Sequence, residues 1–339
     1  MVRFLGSLGT AIIVGLFATF AWQSYMHARL PNELRVGVTS LATGQLIHAV
    51  DLRDNFSARN LRVTVVTVEN EDTLLTMLSA GTIDGAVVSM SAPIVLRSRG
   101  VATKVVASMD YSAGSDAIVA HGDITRVADL ANAQIGYGSQ GNDVVLLREA
   151  LRRGKISTVE GHSIVQPMSD SANAFVAGEL DAAVLTDPYL GQALRRENSR
   201  VLFSTRETPG LLPTVIIFRT VVLETKRPQV GAFLAGWFAT MDDYETSSIL
   251  RRRLLAVVAV ATGQTLEGVS EALNNRRLST FADNGLAFTH FGDPVSLYTS
   301  AERFFVALNV GSFDAAAVDA LFDPSFVRGG LRAFGKVEK

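Results

Sequence analysis

Hydrophobic positions in this chain come in two periods that alternate. Short apolar runs at Leu34–Val38, Val63–Val68 and Gly85–Val88 are separated by segments in which apolar residues return every three or four places. The same alternation resumes at Ala133–Tyr137, Ser163–Gln166 and Ala182–Leu185. Runs of the first kind predict strands and segments of the second kind predict helices. Each half therefore reads β-α-β-α-β, which implies an α/β architecture of parallel sheets with helices on both faces. Further strands are expected at Val105–Ser108, Ala117–Ala120 and Thr214–Phe218. From about Arg227 the helical period takes over, with helices expected at Val230–Tyr244, Ser247–Thr262, Leu266–Asn275, Val295–Leu308 and Ala315–Phe322.

The two halves are similar to each other in detail. Leu75–Ser89 and Ala172–Thr186 both read as a helix, an Ala-Gly stop, an apolar residue followed by Asp, and a short apolar strand ending in a hydroxyl. Gly81 and Gly178 fit the left-handed position just past a helix end, where a Cβ is penalised. Asp84 and Asp181 fall at one offset, at the strand entrance. Upstream, Leu34–Gly44 resembles Ala133–Asp143, and the glycine separations nearly match: 44 residues from Gly37 to Gly81, 42 from Gly136 to Gly178. Between the halves, Met109–Asp116 is rich in turn residues and reads as the crossing from one lobe to the other. Pro209–Pro213 reads as the return. The expected organisation is a first lobe of residues 34–111 plus 210–339, with the C-terminal helices, and a second lobe of 112–209.

Residues 1–33 change the picture of where the protein works. Phe4–Trp22 carries no charge and follows Arg3, and Gln23, Ser24, His27 and Arg29 come after it. This is the layout of a signal peptide, with a cleavage point after Ala21, or of a retained membrane anchor. Either reading places the remainder in the periplasm or another extracytoplasmic space, if Arg3 marks the inside. Charge adds an exclusion. With 31 basic against 33 acidic residues and a net charge of -2, there is no basic stripe for nucleic acid. The chain has no cysteine, which removes thiolate catalysis and disulfides. His27, His48, His121, His162 and His290 are scattered without metal-ligand spacing, so no metal or cofactor is expected. No G-x-S-x-G, P-loop or G-x-G-x-x-G stands at a strand–helix junction, and no catalytic residue is assigned.

Several segments together resemble the extracellular solute-binding proteins of ABC importers, in the nitrate/sulfonate/taurine and thiamine-precursor group. They are Leu34–Val38, Asp54–Val63, Ala80–Val88, Ile124–Leu130, Ala177–Val184, Asp187-Pro188, Pro228–Tyr244 and Asp314–Phe326. The resemblance spans roughly residues 34–330, and its specificity lies in order and spacing. It implies a two-lobe clamp, the periplasmic binding protein type II fold, with additional C-terminal helices. It also implies a permease and an ATPase as partners. Two departures fall in the expected ligand loops: Ser40–Gln45 lacks the family's aromatic residues, and Asp187 stands where the family has Glu.

In doubly wound sheets ligands bind beyond the carboxyl ends of the strands. The candidate ligand contacts are therefore the polar groups of those turns. They are Ser40, Thr43 and Gln45 after the first strand, Asp72 after the second, and Ser89 and Ser91 after the third. Ser139, Gln140, Gly141 and Asn142 open a helix, whose free N–H groups suit an anionic group as well as ordinary capping. Asp187 suits an amine or a ring N–H, or simply a turn before proline. Tyr111, Ser115 and Tyr189 lie near the crossing, where the tyrosines suit stacking or packing. No Lys or Arg occurs in these turns, which disfavours a multiply charged anion. The expected ligand is a small polar or zwitterionic solute, sulfonate/taurine-like or a thiamine-precursor-like heterocycle. The alternatives are a membrane-anchored ligand sensor or scaffold, and an enzyme on the same fold.

Overall fold

The computed structural model describes residues 32–40, 42–138, 141–157, 162–289, 291–309 and 314–328. The apolar N-terminal segment, Ser139, Gln140 and His290 lie outside them. Among the described residues no helix is long and apolar enough to cross a membrane.

The first half lays down β1 (Glu33–Thr39), β2 (Arg62–Val68), α1 (Glu71–Ala80), β3 (Gly85–Ser89), α2 (Ser91–Ser98) and β4 (Thr103–Ser112). The second half follows with β5 (Asp116–His121), β6 (Ile135–Tyr137), α3 (Asn142–Gly154), β7 (Ser163–Val165), α4 (Met168–Ala177), β8 (Ala182–Thr186) and β9 (Ser199–Ser204). The chain then returns in β10 (Pro213–Arg219) and adds α5 (Arg227–Thr246), α6 (Ser248–Thr262), α7 (Leu266–Asn274), β11 (Arg276–Leu278) and α8 (Leu297–Leu308). Two sheets result, of order β11-β4-β10-β3-β1-β2 and β7-β6-β8-β5-β9.

The sheets are mixed rather than wholly parallel. Within each repeat the three strands β2-β1-β3 and β7-β6-β8 are parallel, as the alternation predicts. The next strand in each sheet is antiparallel and comes from the crossing chain: β10 against β3, and β5 against β8. The segment expected to be a turn at Met109–Asp116 is strand as far as Ser112. Its backbone is held on one side by β10, where Tyr111 pairs Pro213, and on the other by β11, where Arg276 pairs Ser112. Pairing on both edges overrides the turn propensity of Asp110 and Ser112. The crossing is only Ala113–Ser115.

The repeat seen in sequence is a structural repeat. Gly81 and Gly178 both take positive φ, 72° and 86°, and close their helices. Each cap donates to the helix's last turn, Gly81 N–H to Leu78 O and Gly178 N–H to Phe175 O. Asp84 Oδ2 accepts from Arg35 N at 2.8 Å, and Asp181 Oδ2 accepts from Gln134 N at 2.9 Å. The repeated aspartates thus clamp the amino ends of the parallel strands, remote from the turns where a ligand is expected.

Side chains alternate along each crossing strand and feed cores on both faces. In β10, Val215 and Ile217 join the core that includes α1 and α3, while Ile216 and Phe218 join the core under α5 and α6. In the latter, Phe233 stacks on Phe56 at 5.4 Å and meets Phe218 edge-on at 5.7 Å. In β5, Ile118 and Ala120 join the first core, and Ala117 and Val119 a smaller one with Phe175. Helix α8 reaches the second half: Arg303 pairs Glu149 on α3 at 3.3 Å, and Arg148 donates to Val306 O at 3.3 Å.

Gly37 in β1 and Gly136 in β6 occupy one position of the repeat for one reason. A Cβ at Gly37 would stand 2.5 Å from Leu74 Cδ2, and at Gly136 2.5 Å from Leu180 Cδ1. Buried leucine side chains, Leu74 of α1 and Leu180 from the turn after α4, pack too closely on the strands for a methyl group. Gly37→Ala and Gly136→Ala should each lower stability by about 1–3 kcal/mol in urea unfolding; a neutral result at either would remove close packing as the reason for that glycine.

Candidate functional site

The carboxyl ends of β1, β3 and β8 and the starts of β5, β10 and α3 enclose one cleft of about 340 Å³. Topology places it there. In each repeat the strand order reverses between the first and third strands, and loops at such a point diverge and leave a crevice. The antiparallel crossing strands then bring Asp116 and Thr214 to the same end.

Each polar group on the wall has a traceable position. Asn70 caps α1 by accepting from Thr73 N at 3.0 Å. This sets Glu71 on the first turn facing β3, where Glu71 Oε2 accepts from Ser89 N at 2.6 Å and Oε1 from Ser89 Oγ at 2.7 Å. Ser89 and Ser91 share a hydrogen bond of 2.5 Å. Asp116 opens β5, and its N–H donates to Ser112 Oγ at 3.2 Å. Gly141, at φ 75°, leads into α3, whose first residues are Asn142 and Asp143. Asp143 Oδ2 accepts from Gly138 N at 3.0 Å.

One guanidinium lies on the wall, that of Arg276 from β11. Its Nη2 is 2.6 Å from Asp110 Oδ1 and 2.8 Å from Thr214 Oγ1. Asp110 is 0% exposed, so this is a buried ion pair. Burial works against the guanidinium charge, but the carboxylates of Asp110, Asp116 and Asp187 outweigh it and raise the Arg276 pKa.

Three carboxyls of the cleft, those of Glu71, Asp116 and Asp143, are displaced upward. Burial raises Glu71 despite its bonds from Ser89. Burial also raises Asp116, against the opposing charge of Arg276 and hydrogen bonding to Ser112 and Asn142. Asp143 is pushed up to about 7 by burial, against the hydrogen bond from Gly138 N and with a smaller contribution from the charge of Asp116. The site is thus rich in acceptors and short of positive charge. Two oxygens in it, Asp116 Oδ2 and Asn142 Oδ1, are buried without a hydrogen-bond partner.

Of the residues expected from sequence, Thr43, Asp72, Ser89, Ser91, Gly141 and Asn142 line the cleft. Ser139 and Gln140 lie outside the described residues. The others sit elsewhere. Ser40 is exposed. Gln45 is fully buried and donates to Thr39 O at 2.6 Å. Ser115 shares a hydrogen bond with Thr186 at 3.3 Å. Tyr111 faces a second cavity of about 310 Å³ and donates to Val295 O. Tyr189 packs on the Phe175 core. Asp187 accepts from Asn275 Nδ2 at 3.2 Å across the crossing, and burial raises its pKa.

Sequence reasoning passed over Glu71, Asp116, Thr214 and Arg276. Glu71 and Asp72 are adjacent acids in one helical turn, and only helix phase selects which faces β3. Arg276 is a basic residue from outside the candidate turns: it arrives from a three-residue strand after α7, far along the chain. Among the described residues no group of three or more His, Asp or Glu side chains stands ready to hold a metal ion.

A family model described as the NMT1-like family matches residues 28–248. Among solved structures, the periplasmic aliphatic sulphonate binding protein SsuA from Escherichia coli is 19% identical, with a TM-score of 0.70 over 87% of this chain and 99% of its own. The periplasmic nitrate-binding protein NrtA from Synechocystis PCC 6803 is 11% identical, with a TM-score of 0.66 over 90% of this chain and 89% of its own. A Candida albicans gene product described as having the generic periplasmic binding protein fold is 12% identical, with a TM-score of 0.65 over 86% and 96%. No curated protein sequence matches the chain. The fold is thereby the two-lobe type II periplasmic-binding fold, with extra C-terminal helices.

Asp143 gives the site a pH signature. Its pKa is raised from 3.8 to about 7, so folding favours its protonated form. Stability is therefore lost as pH climbs from about 4 to about 7 and the carboxyl is forced to ionise in place. Asp143→Asn keeps an acceptor for Gly138 N and removes that loss. The variant should match the parent near pH 4 and exceed it by up to about 4 kcal/mol near pH 8. Urea unfolding across that range checks this; an advantage that does not grow with pH would contradict it.

Proposed function

This chain belongs to the NMT1-like family, and on that premise we propose that it is the solute-capturing component of an ABC importer. The carrying observation is that one cleft takes side chains from both repeats: Ser89 and Ser91 from the first, Asp116, Asn142 and Thr186 from the second. A solute bound there touches both lobes. It then favours whichever arrangement gives it more contacts, and the closed form is selected by that difference in affinity. The short crossings at Ala113–Ser115 and 205–212 are the hinge, and the closed clamp is what a permease with its ATPase would recognise.

The ligand is a small polar solute bearing N–H donors. Of the two chemistries expected from sequence, the thiamine-precursor-like heterocycle fits better than the sulfonate, because Arg276 on the wall is already paired with Asp110. Asp187, beside the hinge, is a positioning residue that meets Asn275 on the other side. The protein works outside the cytoplasm, carried there by the apolar segment Phe4–Trp22. That segment also supports a second reading, a membrane-anchored sensor on the same clamp.

Three measurements test this. A thermal-shift screen of small polar solutes should find one that stabilises the protein, by about 2.7 kcal/mol at a hundredfold excess over Kd, and X-ray scattering should then show compaction. A stabilising solute that leaves the radius of gyration unchanged would sink the clamp mechanism. The mature N-terminus separates the two roles: Trp22 as first residue supports a free receptor, and intact Met1 supports the anchor.

A further inference from the structure

We propose that the cleft selects a small organic cation carrying several N–H donors, an ammonium, amidinium or guanidinium, and that Asp116 with Asp143 holds its charge. This rests on the reading of the cleft as the solute site and goes on to give the solute's charge.

The first observation is an unmet demand for donors. Asp116 is only 4% exposed, and its Oδ2 is buried with no hydrogen-bond partner. Asn142 Oδ1, on the facing helix start, is in the same condition. An amide oxygen accepts, and so does an aspartate oxygen once the carboxyl is ionised. A buried carboxylate oxygen without a donor costs several kcal/mol, so a ligand that brings N–H groups supplies the donors these oxygens do not get from the protein. A ligand of acceptors alone would recover nothing.

The second observation is the balance of charge. Carboxyls from Glu71, Asp72, Asp116 and Asp143 line the cleft against the guanidinium of Arg276. That guanidinium is committed: Asp110 holds it at 2.6 Å and Thr214 at 2.8 Å. An incoming sulfonate or nitrate would have to draw Arg276 off a fully buried aspartate, which would then be stranded. A cation meets no such obstacle and forms charge-assisted hydrogen bonds, the stronger kind. The upward displacement of the Asp116 and Asp143 carboxyls is what burial does to acids with no sufficient cation beside them.

The cation is organic. Among the described residues the acids do not converge as a metal needs. Glu71 spends both oxygens on Ser89, and the acids are spread around a volume of about 340 Å³, within the range that encloses a small molecule.

The test uses the full chain and titration calorimetry at pH 8. Benzamidine, agmatine and 1,4-diaminobutane are the N–H cations, choline is a cation without N–H, and ethanesulfonate and nitrate are the anions. At least one N–H cation should bind, and more tightly than choline. Asp116→Asn should weaken that binding at least tenfold, whereas the exposed Asp242→Asn should leave it unchanged. If Asp116→Asn does not fold, Asp143→Asn carries the same comparison. Choline binding as well as the N–H cations, or affinity indifferent to both cleft variants, overturns the assignment. Binding of ethanesulfonate or nitrate with the cations inert also overturns it, and leaves the receptor reading standing. Silence from every compound counts against both.

Discussion

Two crossings of the chain govern this structure. At Ala113–Ser115 and again between β9 and β10, the backbone leaves one sheet and enters the other. Each crossing delivers an antiparallel strand that becomes the neighbour of the last parallel strand of a repeat. Neither sheet is complete without chain from the other half. The crossings are also laced together. Ser112 Oγ and Gly114 N both reach Thr205 Oγ1 at 2.8 Å, and Asn275 O accepts from Ala113 N and Ser115 N. A joint that is short, double and hydrogen-bonded resists separation of the lobes.

The same joint explains the unusual charge of the cleft. Strand β11 reaches the site because it completes the edge of the larger sheet beside β4, and it carries Asn275 and Arg276 to the crossing. Arg276 then neutralises Asp110, whose side chain is fully buried. A buried carboxylate of this kind needs its partner, and loss of the guanidinium would leave an uncompensated charge worth several kcal/mol. The arginine serves the fold at the joint, which leaves Asp116 and Asp143 to face the cleft with little compensation. One set of contacts thus serves the fold at the joint and sets which charged groups face the cleft.

Much of the fold was legible in the order of residues. The parallel strands, both helix stops at Gly81 and Gly178, the four long helices of the last third and the two-lobe plan follow from periodicity and from the internal repeat, whereas the short helix Phe281–Ala287 does not. The turn assigned at Met109–Asp116 was not legible correctly. Asp110, Ser112 and their neighbours have turn chemistry, and only pairing with β10 and β11 makes them strand. The repeated aspartates were visible as a pattern but not as a role. Asp84 and Asp181 turn out to tie strand entrances, at the end of the sheet away from the cleft.

The sequence by itself determined what depends on near neighbours: the alternation of strand and helix, the glycine caps, and the cleft's place beyond the carboxyl ends, with Thr43, Asp72, Ser89, Ser91, Gly141 and Asn142 around it. Tertiary structure alone decided the charge of that cleft. Asp110, Asp116, Asp143 and Arg276 are separated by as many as 166 residues along the chain, and no local pattern links them. Their pairing depends on which strands lie side by side and which oxygens are left dry, because electrostatic energy at low dielectric is set by distance and burial and not by order in the chain.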